Sequence, residues 1–230
     1  MTGTIVNIIA IGIGTSIGLF FKKGISPRVK NTVMQGIGLA VLLVGLQMSL
    51  QGEQLLIVII SLALGGICGE LLKIEYNLER LGMWLESKVG DNGGNVARAF
   101  VTTSLIYCVG AMAVVGAIED GISGNTDTLF AKAMLDGVSS IFFASTMGIG
   151  VIFSGLPVLV YQGTITLLAA SLKDILNPFV INHLTSTGGL LIIGIAINIL
   201  EIKKVNIGNL LPAIIIVIPL AYFMQYLHLF

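Results

Sequence analysis

Long runs of apolar residues alternate with short polar stretches along the whole chain of 230 residues. A helix needs about 20 mostly apolar residues to cross a bilayer. Eight segments approach that length, and they cover residues 4–21, 31–50, 54–72, 96–118, 129–153, 156–172, 178–200 and 210–227. Helices satisfy their own backbone hydrogen bonds in lipid. The pattern therefore predicts an all-α, polytopic integral membrane protein of about eight transmembrane helices, folded as a single transmembrane domain over residues 1–230.

The composition agrees with this prediction. Hydrophobic residues make up 55% of the chain and charged residues 10%, and the mean hydropathy is +0.99. Soluble domains carry about 25% charged residues. Twelve Lys and Arg residues balance twelve Asp and Glu residues, which argues against nucleic acid as a partner because phosphate binding needs a basic excess. The lipid bilayer is the partner that the composition indicates.

The basic residues are distributed unevenly between the two sides of an eight-helix arrangement. Ten of the twelve fall on one side, and these are Lys22, Lys23, Arg28, Lys30, Lys73, Arg80, Lys88, Arg98, Lys203 and Lys204. Only Lys132 and Lys173 fall on the other side. Cytoplasmic loops carry the excess of Lys and Arg. We therefore predict a bacterial inner-membrane protein whose basic loops are cytoplasmic and whose two termini lie outside.

One long polar stretch, residues 73–96, interrupts the apolar segments. Within it Leu78, Leu81, Leu85 and Val89 recur at helical spacing beside Trp84. This pattern is typical of an amphipathic helix lying on the membrane surface. A solvated linker helix explains the pattern equally well. In both interpretations the stretch separates two halves of the chain.

The two halves, residues 1–72 and 97–172, share short similarities. Residues 23–26 resemble residues 120–123, and residues 33–37 resemble residues 134–138, in the same order. With three helices in each half, the second copy would enter the membrane from the opposite side, as in the inverted repeats of secondary transporters. The sequence thus suggests a 3+3 inverted repeat plus a C-terminal hairpin over 178–230, with chance similarity between apolar segments as the alternative.

Small residues recur at four-residue spacing in three of the segments. They are Gly14 and Gly18 in the first, Ser61, Gly65 and Gly69 in the third, and Ser140, Ala144 and Gly148 in the fifth. Such faces allow two helices to approach closely. The two helices could belong to one chain or to two copies, so a homo-oligomer formed through these Gly-rich faces is an open alternative.

Polar residues at membrane depth are costly and therefore candidates for function. Asp136 is the strongest candidate, because its carboxylate could bind a cation or carry a proton; alternatively the fifth helix begins late and Asp136 only caps it. Gln162 and Thr166 share a face of the sixth segment, where they could bind a solute or join helices. The candidate solute or ion pathway comprises Asn7, Gln47, Asp136, Gln162, Thr166, Thr185, Ser186, Thr187, Gly188, Gly189 and Asn198.

The seventh segment begins with polar residues and two glycines, over residues 182–189. This predicts a broken helix in which a half-helix starts near Thr187 and directs free N–H groups at a solute. The alternative is that residues 178–187 form an outside loop capped by Thr187. We place His183 in a loop.

Sequence motifs of enzymes are absent. The chain contains no HExxH, P-loop or GxSxG motif. Its two cysteines, Cys68 and Cys108, are not spaced like metal ligands. We expect no enzymatic activity, no catalytic residues, no metal and no cofactor.

Several of these segments together resemble one family of bacterial membrane proteins, domain of unknown function 554. The resembling stretches are residues 66–72, 136–137 with 148–151, 161–163, 188–191 and 211–212. The resemblance implies an integral inner-membrane protein, often labelled a transport protein. It supplies no established substrate and no catalytic residues.

Three functions remain open at this point. The first is a transporter of a small solute or ion, in which Asp136, Gln162 and the segment 185–189 meet near mid-membrane. The second is an oligomeric channel lined by the same residues. The third is a membrane scaffold or sensor without transport, with residues 73–95 as its docking surface. It would be favoured if the polar residues pair with one another and leave no cavity.

Overall fold

The computed structural model describes residues 1–22, 27–78, 80, 84, 95–108, 111–172 and 175–226. Every regular element in this part of the chain is helical. The helices are α1 (Thr2–Lys22), α2 (Pro27–Ser49), α3 (Leu55–Leu71), α4 (Asn95–Cys108), α5 (Ala111–Ile122), α6 (Asp127–Met147), α7 (Gly155–Leu167), α8 (Ala169–Leu172), α9 (Pro178–Ile199), α10 (Ile207–Leu210) and α11 (Pro212–Tyr226). A 3₁₀ helix over Ile149–Ser154 leads into α7. The all-α prediction is confirmed.

Five stretches among the described residues are long and apolar enough to cross a membrane. They are Thr2–Phe21, Asn31–Ser49, Ile149–Leu167, Pro178–Ile199 and Ile207–Tyr226. A sixth exists if α4 and α5, whose axes differ by 59°, form one bent span. The predicted count of eight is not confirmed, since α3 has only 17 residues and α6 carries Lys132 and Asp136 among its apolar residues.

Helix α1 shows why the chain suits a lipid environment. Its buried face carries small and polar residues, among them Thr4, Asn7 and Thr15. Its opposite face carries isoleucines that are 40% to 56% exposed, namely Ile5, Ile9, Ile13 and Ile17. A helix of a soluble protein has the reverse arrangement. Lipid tails solvate the isoleucines, while the small and polar side chains contact neighbouring helices.

Close contacts divide the chain into two compact units. Unit 1 comprises Met1–Met34 and Leu78–Leu172, and unit 2 comprises Gln35–Asn77 and Lys173–Phe230. Each unit is thus built from two separate parts of the sequence. The units do not coincide with the predicted repeat halves, and both the single domain and the inverted repeat remain predictions.

In unit 1, α1 and α6 pack side by side in the same direction. A Cβ atom added to Gly14 would overlap the carbonyl oxygen of Gly137, and one added to Gly18 would overlap that of Ile141. Ser140 and Ala144 face the same two glycines. The predicted small-residue faces of the first and fifth segments therefore meet each other within the chain.

In unit 2, the third small-residue face is also in use. A Cβ atom on Gly65 would overlap Ala213, and one on Gly69 would overlap the carbonyl oxygen of Asn209, so α3 packs antiparallel to α10 and α11. Helices α2 and α9 are antiparallel as well, with Gly45 against Gly189. All three predicted faces bind helices of the same chain, and a homo-oligomer would have to use other surfaces.

The end of the fifth predicted segment and the start of the sixth are wrong. The fifth segment does not continue to residue 153, because α6 ends at Met147 and Gly148 adopts a φ of 91°, which favours glycine. The residues that follow belong to the next span, Ile149–Leu167.

Most of the predicted amphipathic face, including Leu81, Leu85 and Val89, lies outside the described residues.

The seventh segment contains no break. Helix α9 runs continuously from Pro178 to Ile199, so the predicted half-helix starting near Thr187 and the alternative outside loop over residues 178–187 are both wrong. Asn177 caps the helix by accepting a hydrogen bond from the backbone N–H of Val180 at 3.0 Å, and Pro178 suits the first turn. These two residues start the helix early enough to include the polar residues.

Candidate functional site

A buried ion pair lies inside unit 1. Lys132 and Asp136 are four residues apart on α6, and the Lys132 ammonium contacts Asp136 Oδ2 directly. Their side chains are only 8% and 10% exposed. Asn7 of α1 donates a hydrogen bond from Nδ2 to the same carboxylate oxygen, at 2.9 Å. Two charges of opposite sign and one amide thus form a connected, electrically neutral group in an apolar setting.

Asp136 occupies the interior of its helix. Helix α6 begins at Asp127, nine residues earlier, which corresponds to about 14 Å at 1.5 Å per residue. Thr126, not Asp136, is the N-cap residue. The alternative in which Asp136 merely caps a late-starting helix is therefore wrong.

A hydroxyl group cluster lies next to the ion pair. The Tyr107 hydroxyl of α4 is 2.8 Å from Ser140 Oγ, one turn beyond Asp136 on α6. Ser139 Oγ donates to the same hydroxyl at 3.4 Å. The Lys132 ammonium lies 5.9 Å from the centre of the Tyr107 ring, a distance at which a cation is attracted to an aromatic face. Tyr107 thus connects α4 to the polar group.

Several other buried polar atoms of unit 1 have no hydrogen-bond partner among the described residues. We call five of them the open polar atoms: Thr4 Oγ1, Asn7 Oδ1, Gln162 Oε1, Gln162 Nε2 and Thr166 Oγ1. Gln162 is 0% exposed. Most buried polar atoms in proteins have a partner, and leaving one without costs about 1–3 kcal/mol. The open polar atoms therefore have hydrogen-bonding capacity that the described residues do not use.

The contacts of α1 with neighbouring helices show the order in which these polar residues lie along unit 1. Helix α7 runs antiparallel to α1, because Gly163 faces Met1 while Gly155 faces Ile8. Gln162 is therefore close to the start of α1, whereas Asp136 lies deeper, at the level of Asn7. Thr166 lies one turn further out than Gln162, beside Gly121 at the end of α5. Thr166, Gln162, Thr4, Asn7 and Asp136 thus follow one another from the end of the unit towards its centre.

The polar residues of α9 belong to unit 2, where two of them, Ser186 and His183, bind the α2–α3 connection. Ser186 donates a hydrogen bond from Oγ to the Ser49 carbonyl oxygen at 2.5 Å. His183 is buried in the helix, and its Nε2 accepts a hydrogen bond from the Gln54 backbone N–H at 3.2 Å. The prediction of a loop position for His183 is wrong. Thr185 Oγ1 and Thr187 Oγ1 are buried without a partner in the described part of the chain.

The remaining predicted pathway residues of unit 2 lie in a turn, in a helix contact or on the surface. Asn198 closes the turn after α9 through two hydrogen bonds with the Val205 backbone, at 2.7 and 2.8 Å. Gly188 and Gly189 are both buried, and Gly189 lies against the backbone of α2. Gln47 is exposed on α2. The predicted pathway residues are thus divided between the units, with Asn7, Asp136, Gln162 and Thr166 in unit 1.

Among the described residues, no group of three or more His, Cys, Asp or Glu side chains is placed to hold a metal ion. Cys68 and Cys108 are free thiols. The polar chemistry of the site therefore rests on charges, amides and hydroxyl groups.

Sequence reasoning missed two residues of this site. Lys132 was counted only as a basic residue on the outer side, although its spacing of four residues from Asp136 is the spacing at which a helical ion pair forms. That spacing could have identified the pair. Tyr107 gave no signal, because its contact with Ser140 joins residues 33 positions apart on different helices.

The fold and the site together define a polytopic, all-helical membrane protein with a buried polar group. The chain belongs to the family described as a protein of unknown function, DUF554, whose sequence profile matches residues 2–222. The resemblance derived from the sequence is confirmed.

Two relatives cover nearly the whole chain. This chain is 34% identical over 220 residues to the uncharacterized membrane protein YdfK of Bacillus subtilis strain 168. The aligned region covers 94% of this chain and 93% of the relative. The chain is 24% identical over 224 residues to the uncharacterized protein YqgA of Escherichia coli K12, with 95% of each chain covered. No solved structure matches significantly.

Proposed function

We propose that this protein transports a small polar solute or ion across the bacterial inner membrane, through the polar interior of unit 1. The observation that supports this most is the wholly buried Gln162, whose amide oxygen and nitrogen are both open polar atoms. An amide in this position loses the hydrogen bonds of water and gains none from the described residues. A passing solute or water molecules would restore them.

The ion pair gives the pathway its charge selectivity. Ionisable residues inside membranes are rare and mark substrate and ion pathways. Lys132 and Asp136 lie on the inner face of α6, and Asn7 positions the carboxylate. The open polar atoms of Thr4, Gln162 and Thr166 would guide a solute from the end of the unit to this pair. No step of this proposal forms or breaks a covalent bond, so the protein acts without catalysis.

An oligomeric channel is the second form that this function could take. It would use the same polar residues around a shared axis, on surfaces other than the three small-residue faces that already bind helices of the chain. In both forms the basic loops are cytoplasmic and both termini are outside. A membrane-impermeant thiol reagent added to intact cells tests this orientation. In a chain without Cys68 and Cys108, a single cysteine at exposed position 53 should react, and one at position 204 should react only after the membrane is opened.

One observation favours a scaffold or sensor without transport. Asp136 is already paired with both Lys132 and Asn7, and such pairing serves helix association in membranes. The two candidates differ in what they require of Gln162. A scaffold has no use for a buried amide without partners, whereas a transporter needs it.

Flux measurements distinguish the candidates. The purified protein would be reconstituted into liposomes and tested with labelled cations, anions, sugars and amino acids, with and without a pH or sodium gradient. We expect flux of at least one class above that of protein-free liposomes, and a loss of at least tenfold in Asp136→Asn. Asp127→Asn, which changes an exposed carboxylate on the same helix, is the matched control and should transport normally. Absence of flux for every class would favour the scaffold.

A further inference from the structure

We infer that the solute is a zwitterion of the α-amino-acid type, bound by exchange with the Lys132–Asp136 pair; this inference rests on the proposed function. It starts from the net charge of the site. Lys132 and Asp136 cancel each other, and both side chains are at most 10% exposed. The described residues that contact the pair, Asn7 and Tyr107, are uncharged groups.

Charge balance then selects between classes of solute. A buried charge without a counter-charge is very costly in a medium of low dielectric constant. A bound anion or cation would leave the site with a net charge of one unit. A solute with one positive and one negative group leaves the net charge at zero, so the pair can open without creating an uncompensated charge.

The geometry of the pair limits the distance between the charges of the solute. The Lys132 ammonium and the Asp136 carboxylate are in direct contact, one helical turn apart on one face of α6. A bound solute must offer a negative group to Lys132 in place of Asp136, and a positive group to Asp136 in place of Lys132. Its own two charges must therefore lie equally close together. The ammonium and carboxylate of an α-amino acid are attached to the same carbon atom and meet this requirement. Zwitterions with a long spacer do not.

The surrounding amides complete the recognition. The solute carboxylate would accept hydrogen bonds from the Lys132 ammonium, and the solute ammonium would donate to Asp136. Asn7 Oδ1, one of the open polar atoms, is an acceptor beside that carboxylate and suits a second hydrogen bond from the ammonium. Gln162, nearer the start of α1, offers both a donor and an acceptor. It can therefore bind either end of the zwitterion on its way to the pair.

A binding assay on the purified full-length protein tests this inference separately from transport. Thermal unfolding would be followed with each of the standard amino acids, and with acetate and methylammonium as the two halves of glycine. We expect at least one amino acid to raise the unfolding temperature in a saturable way, and acetate and methylammonium to leave it unchanged. Stabilisation by either half alone at a similar concentration would overturn the inference, and so would the absence of stabilisation by every amino acid.

Two variants keep the test independent of folding defects. Asn7→Ala removes the second acceptor, together with the Nδ2 donor to Asp136, without changing a charge, and we expect amino-acid binding to weaken about tenfold. Ser16→Ala, on the exposed face of the same helix, should bind normally. Equal binding by both variants would contradict the assigned role of Asn7. Binding without flux would disprove transport alone, whereas flux of another solute without amino-acid binding would disprove the zwitterion alone.

Discussion

The two units bury polar side chains in different ways. In unit 2, Ser186, His183 and Asn198 each bind a backbone group of a neighbouring segment, at 2.5 to 3.2 Å. In unit 1, the polar side chains form an ion pair with an amide in contact and leave the open polar atoms beside it. Three polar residues of unit 2 thus bind the connections between helices, whereas Thr185 and Thr187 of the same helix lack a partner among the described residues. In the described part of the chain, the buried ion pair is the feature that sets unit 1 apart.

This difference distinguishes buried polar side chains that stabilise the fold from those that are available for function. A buried side chain that satisfies a backbone group contributes to stability and needs no ligand. A buried side chain without a partner lowers stability and persists where function requires it. We therefore expect variants of Ser186, His183 and Asn198 to change stability, and variants of the open polar atoms to change transport.

The largest expected effect follows from separating the two buried charges. Asp136→Asn leaves the Lys132 ammonium buried without a counter-charge, and breaking such a pair costs about 3–5 kcal/mol. Reversible unfolding in detergent should show this loss. The double variant Lys132→Met with Asp136→Asn removes both charges and should recover most of the stability.

The flux of the same double variant sharpens the comparison. If the pair binds solute, the recovered protein should still transport at least tenfold less than the unmodified chain. Recovery of both stability and flux would show that the pair is structural, as in unit 2.

A smaller effect is expected where α1 meets α6. Gly14→Ala forces a methyl group against the Gly137 carbonyl oxygen, and overpacking of this kind costs about 1–3 kcal/mol. Gly12→Ala, in the same turn, meets no atom within 4 Å and should stabilise the helix by about 0.5–1 kcal/mol. Thermal unfolding of the two variants checks the prediction, and equal shifts would contradict the packing.

The smallest effect is expected for a single hydrogen bond of unit 2. Ser186→Ala removes the bond to the Ser49 carbonyl oxygen, and a typical net contribution is about 1 kcal/mol. The unfolding free energy should fall by that amount while the flux stays unchanged. A large loss of flux without a loss of stability would place Ser186 in the pathway instead.

Local sequence signals predicted the parts of the fold that depend on neighbouring residues. The start of α9 follows from Asn177 and Pro178, so the predicted range 178–200 agrees with Pro178–Ile199. The small-residue faces with Gly14 and Gly65 were also visible, because helix packing in membranes repeatedly uses such spacing.

Contacts between distant residues could not be predicted. Asn7 and Asp136 are 129 positions apart, and Ser186 and Ser49 are 137 apart. Without knowledge of these partners, the polar residues 182–189 suggested a broken helix. The partners show instead that intact helix α9 uses its polar side chains to hold the connection between α2 and α3.

Gln162→Leu, measured for flux and stability together, tests the central claim most directly. Leucine removes a buried amide that has no partner in the described structure, so the unfolding free energy should stay constant or rise, by up to about 1–3 kcal/mol. The flux should fall at least tenfold. Gln47→Leu, an exposed position on α2, is the matched control. Unchanged flux in Gln162→Leu, with stability retained, would contradict the account.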